Sequence, residues 1–182
     1  MQRLIVTGAN GAGKSYLAAR LAAVRPEVPL VSFDGIKLIR NWEQRSKSEI
    51  NAELLRVIQT ESWILEGGPS LLPHALKRAE GLIWLEPPVW LRAWRLAIRP
   101  LRNIGRTRPE IPPGNVDWPW QQYKFAISSL RNHVRFRDSI SILLAGAEGV
   151  RIWRSQSKRD MEAAVNDWRN AARPACATSE HC

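Results

Sequence analysis

Apolar residues follow two alternating patterns along this chain: short uninterrupted runs, and longer stretches with an apolar residue at every third or fourth position. The uninterrupted runs predict five β-strands, namely Arg3 to Thr7 and the segments VPLVSF, SWILE, GLIWLE and VRIW. The helical spacing predicts helices at 13–24, at 47–60, after Pro69, from about Pro88, at 118–145 and after Ser157, where Asp160 can complete a capping box. Strands that are apolar throughout and alternate with helices indicate an α/β fold, with a parallel sheet covered by helices on both faces.

Two irregular segments, 35–46 and 100–118, interrupt this alternation. Long irregular segments in compact α/β domains often form lids or binding loops. Because Pro100 removes one helical hydrogen bond, we expect the preceding helix to break near Arg99 and the segment 100–118 to form a lid. We expect a single domain over 1–172, and a disordered tail over the small, polar segment 173–182, which contains both cysteines.

The 182 residues carry a formal net charge of +10, and 21 of the 27 cationic side chains are arginine. The planar guanidinium of arginine binds phosphate oxygens in pairs, so this excess predicts a polyanionic partner. The charge does not distinguish a nucleotide, a nucleic acid or an acidic metabolite, and a basic surface kept for solubility would also explain it. No apolar run approaches the roughly 18 residues that cross a bilayer, and the first one is too short for a signal peptide, so we expect a cytoplasmic protein without membrane contacts.

The strongest local motif is GANGAGKS, Gly8 to Ser15, which matches G-x-x-x-x-G-K-[ST] between the first strand and the first helix. Its glycines let successive backbone N–H groups point inward, where the helix N-terminus adds positive potential. A triphosphate fits this concavity, with Lys14 on the β- and γ-phosphates and the Ser15 hydroxyl on Mg²⁺. The predicted nucleotide-binding residues are Gly8, Ala9, Asn10, Gly11, Ala12, Gly13, Lys14, Ser15 and Tyr16.

Two carboxylates follow predicted strands and are candidates for the chemistry around this loop. Glu66 ends a buried strand, where a carboxylate can hold a water molecule on Mg²⁺. Asp34 closes another strand and could either orient the metal or accept a proton from an acceptor hydroxyl. Each could instead simply cap the next helix.

Five arginines recur at spacings of 3, 4, 3 and 4, which places them on one face of a helix. They are Arg92, Arg95, Arg99, Arg102 and Arg106, and Arg108 follows them. Such a row repels itself unless an anion lies against it, so it predicts cations that close over a transferred phosphoryl group; the alternative is a solvated basic face. Arg131 and Arg135 on the next helix could contact the same phosphates. The side chains expected to pack in the core or lid are Tyr123, Ile127, Leu130, Val134, Trp63, Trp84, Trp90, Trp94, Trp153 and Trp168.

At the level of ordered motifs, the chain resembles the adenylate-kinase-like P-loop proteins, and it is most similar to the small bacterial proteins labelled DNA topology modulation (FlaR-type). The resemblance spans Leu4 to about Trp168 and rests on GANGAGKS, on SFD followed by Trp42, and on WILEGG, LIWLEPPVWLRAWRLAIR, GRTRPE and VRIWRS. It implies a three-layer P-loop kinase-like fold, a five-stranded parallel sheet of order 2-3-1-4-5 and an arginine-rich lid. It also implies ATP at Gly8 to Ser15, adenine near Arg154 and Ser155, and lid arginines at Arg95, Arg99, Arg106 and Arg108.

The chain departs from this family at two positions that concern the metal and the acceptor. Glu66 stands where the family usually carries aspartate, and the segment GGPSLL lacks the phosphate-binding arginine that follows this turn in nucleoside-monophosphate kinases. The acceptor therefore stays open, and the candidates to bind an anionic one are Lys37, Arg40, Arg45 and Arg78.

The resulting expectation is an ATP- and Mg²⁺-dependent phosphotransferase that uses direct in-line transfer to a nucleotide or another small, anionic acceptor. Lys14, the lid arginines and Arg131 would hold charge, Ser15 with Glu66 or Asp34 would place the metal, and Asp34 is the alternative proton acceptor. The rival hypothesis is a nucleic-acid-binding or regulatory P-loop ATPase, and ATP hydrolysis under a loose lid is a further possibility. The sequence is compatible with a monomer or a dimer.

Overall fold

The computed structural model describes residues 1–102, 112–115 and 119–171. These residues form a five-stranded, fully parallel sheet of β1 (Arg3–Gly8), β2 (Leu30–Ser32), β3 (Trp63–Gly67), β4 (Gly81–Leu85) and β5 (Arg151–Ser155). The strand order is β2-β3-β1-β4-β5. The predicted α/β class, the parallel sheet and the order 2-3-1-4-5 are confirmed.

Helices follow the strands along the chain. They are α1 (Lys14–Val24), α2 (Phe33–Lys37), α3 (Lys47–Ile58), α4 (Leu72–Ala75), α5 (Val89–Arg102), α6 (Pro119–Arg131), α7 (His133–Ala145) and α8 (Lys158–Asn170). Ser157 caps α8 in a capping box with Asp160, as the sequence predicts, and Ser46 caps α3 in the same way with Glu49. In the described part of the chain, no helix combines the length and the apolarity needed to cross a membrane.

Two apolar clusters, one on each face of the sheet, form the core. On one face, Leu17 and Leu21 of α1 and Trp168 of α8 pack against Leu4 and Val6. On the other face, side chains of α2, α3, α4 and α7 pack against alternate positions of the same strands; they include Phe33, Leu54, Leu72, Ile140, Ile5, Leu65 and Leu82. Because successive strand residues point to opposite faces, both sides of the sheet are buried, which explains the continuous apolar runs.

Three predicted elements differ from the observed ones. Strand β2 ends at Ser32 rather than at Asp34, because Phe33 leaves the sheet to begin α2 and packs beside Gly67, where an added Cβ would lie 2.7 Å from Phe33 Cβ. The helix predicted at 118–145 is two helices separated at Asn132, whose side-chain amide donates to the Ser128 carbonyl; such local bonds favour asparagine at helix ends. After Gly68, the chain forms only a 3₁₀ turn (Pro69–Leu71) and the short α4.

The break predicted near Arg99 is wrong. Helix α5 contains Pro100 and continues to Arg102. A proline this close to a helix end removes a single hydrogen bond from the last turn, which the rest of the helix can sustain. Most of the predicted lid, including Arg106 and Arg108, lies outside the described residues, and so does the predicted tail.

The packing predicted for the two tryptophans of α5 is wrong. Trp90 and Trp94 are 71% and 63% exposed, whereas Arg92 is buried. On α6 and α7, Ile127 and Val134 are exposed, while Gln122 and Ala126 are buried. The inward face of α5 meets the Gly8–Ser15 loop through two residues: Leu96 lies against Gly11, and Arg92 donates to the Asn10 carbonyl. The expected burial is confirmed for Trp63, Trp84 and Trp168.

Candidate functional site

The loop from Gly8 to Ser15 connects β1 to α1 at the carboxyl edge of the sheet, where all five parallel strands end. Gly11 and Gly13 adopt φ values of 78° and 98°, in the left-handed region that side chains disfavour. Gly11 also packs directly on α5, since a Cβ there would lie 2.9 Å from Leu96 Cγ. These glycines allow the tight curl that the motif requires.

The carbonyl side of this loop is bound by arginines of α5. Arg92 Nε donates to the Asn10 carbonyl oxygen at 3.1 Å, and an Arg95 terminal nitrogen donates to the carbonyl of Ala12 at 3.0 Å and to that of Gly11 at 3.4 Å. Arg92 is 5% exposed and also donates to Ser129 Oγ at 3.3 Å. Helix α5 therefore binds the loop through the backbone carbonyl groups of the loop.

The amide side of the loop stays open. Among residues 1–102, 112–115 and 119–171, no hydrogen-bond acceptor is found for the backbone N–H groups of Gly13, Lys14 and Ser15. Unsatisfied amides at a helix start, with left-handed residues before them, form a binding site for anionic oxygens. The donor set thus fits the phosphates of a nucleotide.

Lys14 lies between this loop and the end of β3. Its ammonium nitrogen is 3.5 Å from the Ala9 carbonyl oxygen and 3.9 Å from Glu66 Oε1, and its side chain is largely buried. Burial lowers the pKa of the Lys14 ammonium below the usual lysine value, and the neighbouring Glu66 carboxylate only partly offsets this effect. An anion that reached the amide side of the loop would supply the missing countercharge.

Ser15 and Glu66 line one cavity of about 540 Å³, together with Ser32 at the end of β2. Ser32 Oγ donates to Glu66 Oε2 at 3.4 Å, and Glu66 is 5% exposed. No group of three or more His, Cys, Asp or Glu side chains suitable for a metal ion occurs in the described part of the chain. The Ser15 hydroxyl and the Glu66 carboxylate are a suitable ligand set for Mg²⁺. In proteins this ion usually keeps several water ligands and is bound by one or two protein side chains together with substrate phosphates.

A second cavity, of about 520 Å³, opens beside the other end of the loop. Its walls come from α1, α5 and the β5–α8 turn, and they include Ala12, Tyr16, Arg20, Leu91, Arg95, Ser155 and Gln156. Tyr16 is 61% exposed, and the Arg20 guanidinium lies 5.9 Å from the centre of its ring. The size and the mixed apolar and polar lining suit a nucleoside.

Arg154, expected near an adenine, lies in β5 and points away from that second cavity. Its guanidinium pairs with Glu86 at 2.6 Å and stacks over the Trp84 ring at 4.7 Å. It lines a smaller cavity of about 260 Å³ with His133 and Arg137. The neighbouring Ser155 and Gln156, not Arg154, reach the nucleoside-sized cavity.

A fourth cavity, of about 350 Å³, is lined by Lys14 and by three other charged candidates, Asp34, Lys37 and Arg99, whereas Arg40, Arg45 and Arg78 are not among its lining residues. Its lining includes Asn10, Lys14, Asp34, Lys37, Trp42, Gln44, Ser70, Arg99, Gln122, Phe125 and Phe136. Asp34 Oδ1 is 3.5 Å from Lys37 Nζ, and Arg99 donates to Gln122 Oε1 at 2.8 Å. We call it the acceptor cavity, because Lys14 and the candidate proton acceptor Asp34 both line it.

The structure thus gathers most of the predicted site residues around Lys14. Arg131 is an exception, because it is exposed at the end of α6 and is not among the residues that line the acceptor cavity. Arg92 is the residue that sequence reasoning left without a role of its own. The arginine spacing put it on the correct face of α5, yet nothing in that spacing indicated that it would bind the loop carbonyl of Asn10.

Sequence comparisons are negative: no protein-family model and no curated protein sequence matches the chain. Similarity to the DNA topology modulation proteins therefore stays a prediction.

Solved structures do match over nearly the whole chain. A shikimate kinase from Bacteroides thetaiotaomicron superposes with a TM-score of 0.54 at 17% identity, covering 93% of this chain and 97% of that one. A shikimate kinase from Acinetobacter baumannii, solved with shikimate, gives 0.52 at 15% identity over 94% and 93%. A gluconokinase from Sinorhizobium meliloti gives 0.52 at 13% identity over 93% and 94%. At such low identities the likeness concerns the fold, and the chain has the fold of the P-loop kinases.

Proposed function

We propose that this protein is a small-molecule kinase, which transfers the γ-phosphoryl group of ATP to a hydroxyl group of a small anionic acceptor. The observation that carries the proposal is the position of Lys14. It belongs to the phosphate-binding loop, and its side chain also lines the acceptor cavity that contains Asp34 and Arg99. A cation shared by a triphosphate site and a second cavity is suited to stabilise a phosphoryl group in passage between them.

On the donor side, the free amides of Gly13, Lys14 and Ser15 would bind the phosphate oxygens. The Lys14 ammonium, partly deprived of water, would interact more strongly with them than it could in bulk solvent. The nucleoside would lie in the cavity beside Tyr16 and the β5–α8 turn. In this arrangement the terminal phosphate would lie at Lys14, which also lines the acceptor cavity.

Ser15 and Glu66 are the residues that would hold Mg²⁺, the hydroxyl directly and the carboxylate through a water molecule. When bound, the ion would neutralise part of the phosphate charge and keep the transferred group in line. The Ser32 hydroxyl, which donates to Glu66, would orient that carboxylate.

On the acceptor side, Asp34 is the group suited to accept the proton. The acceptor oxygen would form a bond to the γ-phosphorus while the bond to the bridging oxygen of ADP breaks, and the hydroxyl proton would pass to the Asp34 carboxylate. Lys37, 3.5 Å away, would hold that carboxylate in place. Arg99 would stabilise the charge on the equatorial oxygens.

The lining of the acceptor cavity supports a hydroxy acid rather than a nucleoside monophosphate. Lys37 and Arg99 offer positive charge, whereas the turn after β3, Gly68 to Ser70, offers no arginine for a second nucleotide phosphate. Its volume of about 350 Å³ suits a small molecule. Two kinases of this fold are named for shikimate and gluconate, which are both hydroxylated carboxylic acids.

The test is an assay with γ-labelled ATP, Mg²⁺ and three acceptor groups: hydroxylated carboxylic acids, sugars and nucleoside monophosphates. We expect label transfer to a hydroxy acid. Lys14→Ala should lower the transfer by at least about 100-fold and Asp34→Asn by 100- to 10,000-fold, the range of general base catalysis. The matched control is Lys77→Ala, which should keep full activity, because Lys77 is exposed and lines none of the four cavities described above.

Two results would contradict the kinase proposal. One is the absence of transfer to any acceptor above the Lys14→Ala background. The other is a rate of ATP hydrolysis that no acceptor changes, which would identify water as the substrate.

A nucleic-acid-binding ATPase is the second candidate, and the formal net charge of +10 favours it. Binding to a duplex would weaken steeply with salt, because each phosphate contact releases a counterion and adds a slope of about −0.9 to the log–log plot. A slope near zero, or no binding at low salt, would eliminate this candidate.

A further inference from the structure

The irregular segment between α2 and α3 forms a short hairpin that we call the 37–45 hairpin. Leu38 and Gln44 form an antiparallel bridge, and Arg45 N–H donates to the Lys37 carbonyl at 2.9 Å. Ile39 N–H donates to the Glu43 carbonyl at 2.9 Å, which closes the loop. Its side chains form one wall of the acceptor cavity, through Lys37, Leu38, Trp42 and Gln44.

The tip of this hairpin has an unusual backbone. Asn41 and Trp42 adopt φ values of 57° and 61°, so two consecutive residues other than glycine are left-handed. Such a conformation is strained, above all for a bulky residue, and it persists only where the surroundings fix it. Contacts from outside the tip must therefore hold Asn41 and Trp42 in this conformation.

One buried side chain from a distant part of the chain binds both sides of the tip. Asn115 is 0% exposed, and its Oδ1 accepts from the Trp42 N–H. Its Nδ2 donates to the Ile39 carbonyl at 2.6 Å and to the Pro112 carbonyl at 2.9 Å. Both amide hydrogens and the carbonyl oxygen are used, so the orientation of the side chain is fixed by its partners.

The residue before it fits the same contact. Gly114 has a φ of 90°, and a Cβ there would lie 3.4 Å from Cγ of Arg40 on the hairpin. The segment 112–115 therefore rests on the hairpin through Gly114 and bonds to it through Asn115. Helix α6, the next element described along the chain, supplies Gln122 and Phe125 to the lining of the acceptor cavity.

We propose that Asn115 is a positioning residue: by holding the left-handed tip of the 37–45 hairpin, it places the Trp42 side chain in the wall of the acceptor cavity and so sets which acceptors fit. The placement of Trp42 follows from the contacts alone, whereas its effect on acceptors rests on the kinase function proposed above.

The first test does not need an acceptor. Hydrogen exchange measured by mass spectrometry should show faster exchange over 39–43 in Asn115→Ala, because the Trp42 amide loses its acceptor. Helix α3, Lys47–Ile58, should exchange as in the wild type, and the matched control Asn51→Ala, an exposed asparagine on α3, should leave the hairpin unchanged. In protein labelled with 5-fluorotryptophan, the fluorine resonance of Trp42 is identified by its absence from the Trp42→Phe variant. This resonance should shift or broaden in Asn115→Ala.

Two further variants keep the test decisive. Asn115→Asp retains an acceptor for the Trp42 N–H but replaces the Nδ2 donor with an oxygen, which repels the Ile39 and Pro112 carbonyl oxygens. It should therefore also loosen the hairpin. This variant replaces Asn115→Ala in the test if the alanine variant does not fold. Asn41→Gly relieves left-handed strain and should partly restore the exchange protection in the Asn115→Ala background. The proposal is overturned if both Asn115 variants leave 39–43 protected, or if exchange rises equally across the whole chain.

The second test applies once an acceptor is known. Asn115→Ala should raise the KM for that acceptor several-fold and leave the dissociation constant for ATP unchanged. If the kinase assay fails while the exchange result holds, the positioning of Trp42 stands and only the acceptor role is lost. If the exchange result holds and the acceptor KM does not change, the effect on specificity is refuted.

Discussion

Arg92 donates from Nε to the carbonyl oxygen of Asn10 at 3.1 Å, and this bond joins the buried face of α5 to the Gly8–Ser15 loop. The same guanidinium reaches Ser129 on α6, so a single side chain connects three parts of the site. Arg92 and Leu96 face inward from α5, whereas Trp90 and Trp94 are exposed.

The first prediction concerns Arg92 itself. Arg92→Gln should weaken ATP binding by about 10- to 100-fold, because a charged hydrogen bond of about 1.5 to 3 kcal/mol to the loop is lost. Calorimetric titration with MgATP measures the effect. Arg56→Gln, an exposed arginine paired with Glu53 within α3, is the control and should bind ATP as the wild type does. A variant with normal ATP affinity and a lowered melting temperature would limit Arg92 to a purely structural role.

The second prediction tests the packing of the loop on α5. Gly11→Ala should destabilise the protein by about 1 to 3 kcal/mol and abolish measurable ATP binding, since the new Cβ meets Leu96 Cγ at 2.9 Å in a left-handed backbone. Urea unfolding and ATP titration provide the two readouts. Gly146→Ala offers a matched control, because a Cβ there has no neighbour within 4 Å. Equal effects of the two substitutions would show that Gly11 is not packed as described.

The third prediction follows from the lowered pKa of Lys14. Phosphate oxygens favour the charged ammonium, so a bound triphosphate should raise the pKa again; between the two values, ATP binding takes up a proton. Affinity should therefore fall as pH rises through a window that begins below the usual lysine range. Calorimetry in buffers of different ionisation enthalpy measures the proton uptake, which Lys77→Met should retain. Constant affinity up to about pH 10, without proton exchange, would contradict the role of Lys14.

The fourth prediction contrasts exposed with buried tryptophans. Trp90→Gln and Trp94→Gln should each change the free energy of unfolding by less than about 1 kcal/mol, because both side chains are mostly exposed. Trp168→Ala should cost about 3 to 5 kcal/mol, since this ring is fully buried and its Nε1 donates to the Leu21 carbonyl at 3.2 Å. Chemical denaturation followed by circular dichroism gives all three values. A large loss from either glutamine variant would mean that the outer face of α5 is packed.

The local patterns of the sequence were sufficient for most elements and for the tight loop between β1 and α1. Gly8 to Ser15 could be predicted because each specified residue type answers a requirement within the loop itself: left-handed glycines, an ammonium group and a hydroxyl. Strand order, by contrast, came from the resemblance of whole motifs, because pairing between distant strands leaves no mark in local spacing.

The inward face of α5 could not be predicted from the helix alone. Apolar side chains are usually buried, so the spacing favours burial of Trp90 and Trp94, yet both are exposed and Arg92 is buried. The deciding partners, the carbonyls of Asn10 and Ala12, lie some 80 residues earlier in the chain. The left-handed Asn41 and Trp42 escaped prediction for the same reason, since the residue that binds them is Asn115.

For the proposed nucleotide, the arginine contacts on the carbonyl side of the loop also affect the rate of association. Because Arg92 and Arg95 bind the loop carbonyls, much of the conformational entropy of ordering the loop is lost during folding rather than on binding. A preorganised loop of this kind requires no slow rearrangement before phosphate oxygens can settle on its amides. The association rate should then be set by diffusion and electrostatic attraction. Differences in affinity between nucleotides should arise mainly from their dissociation rates.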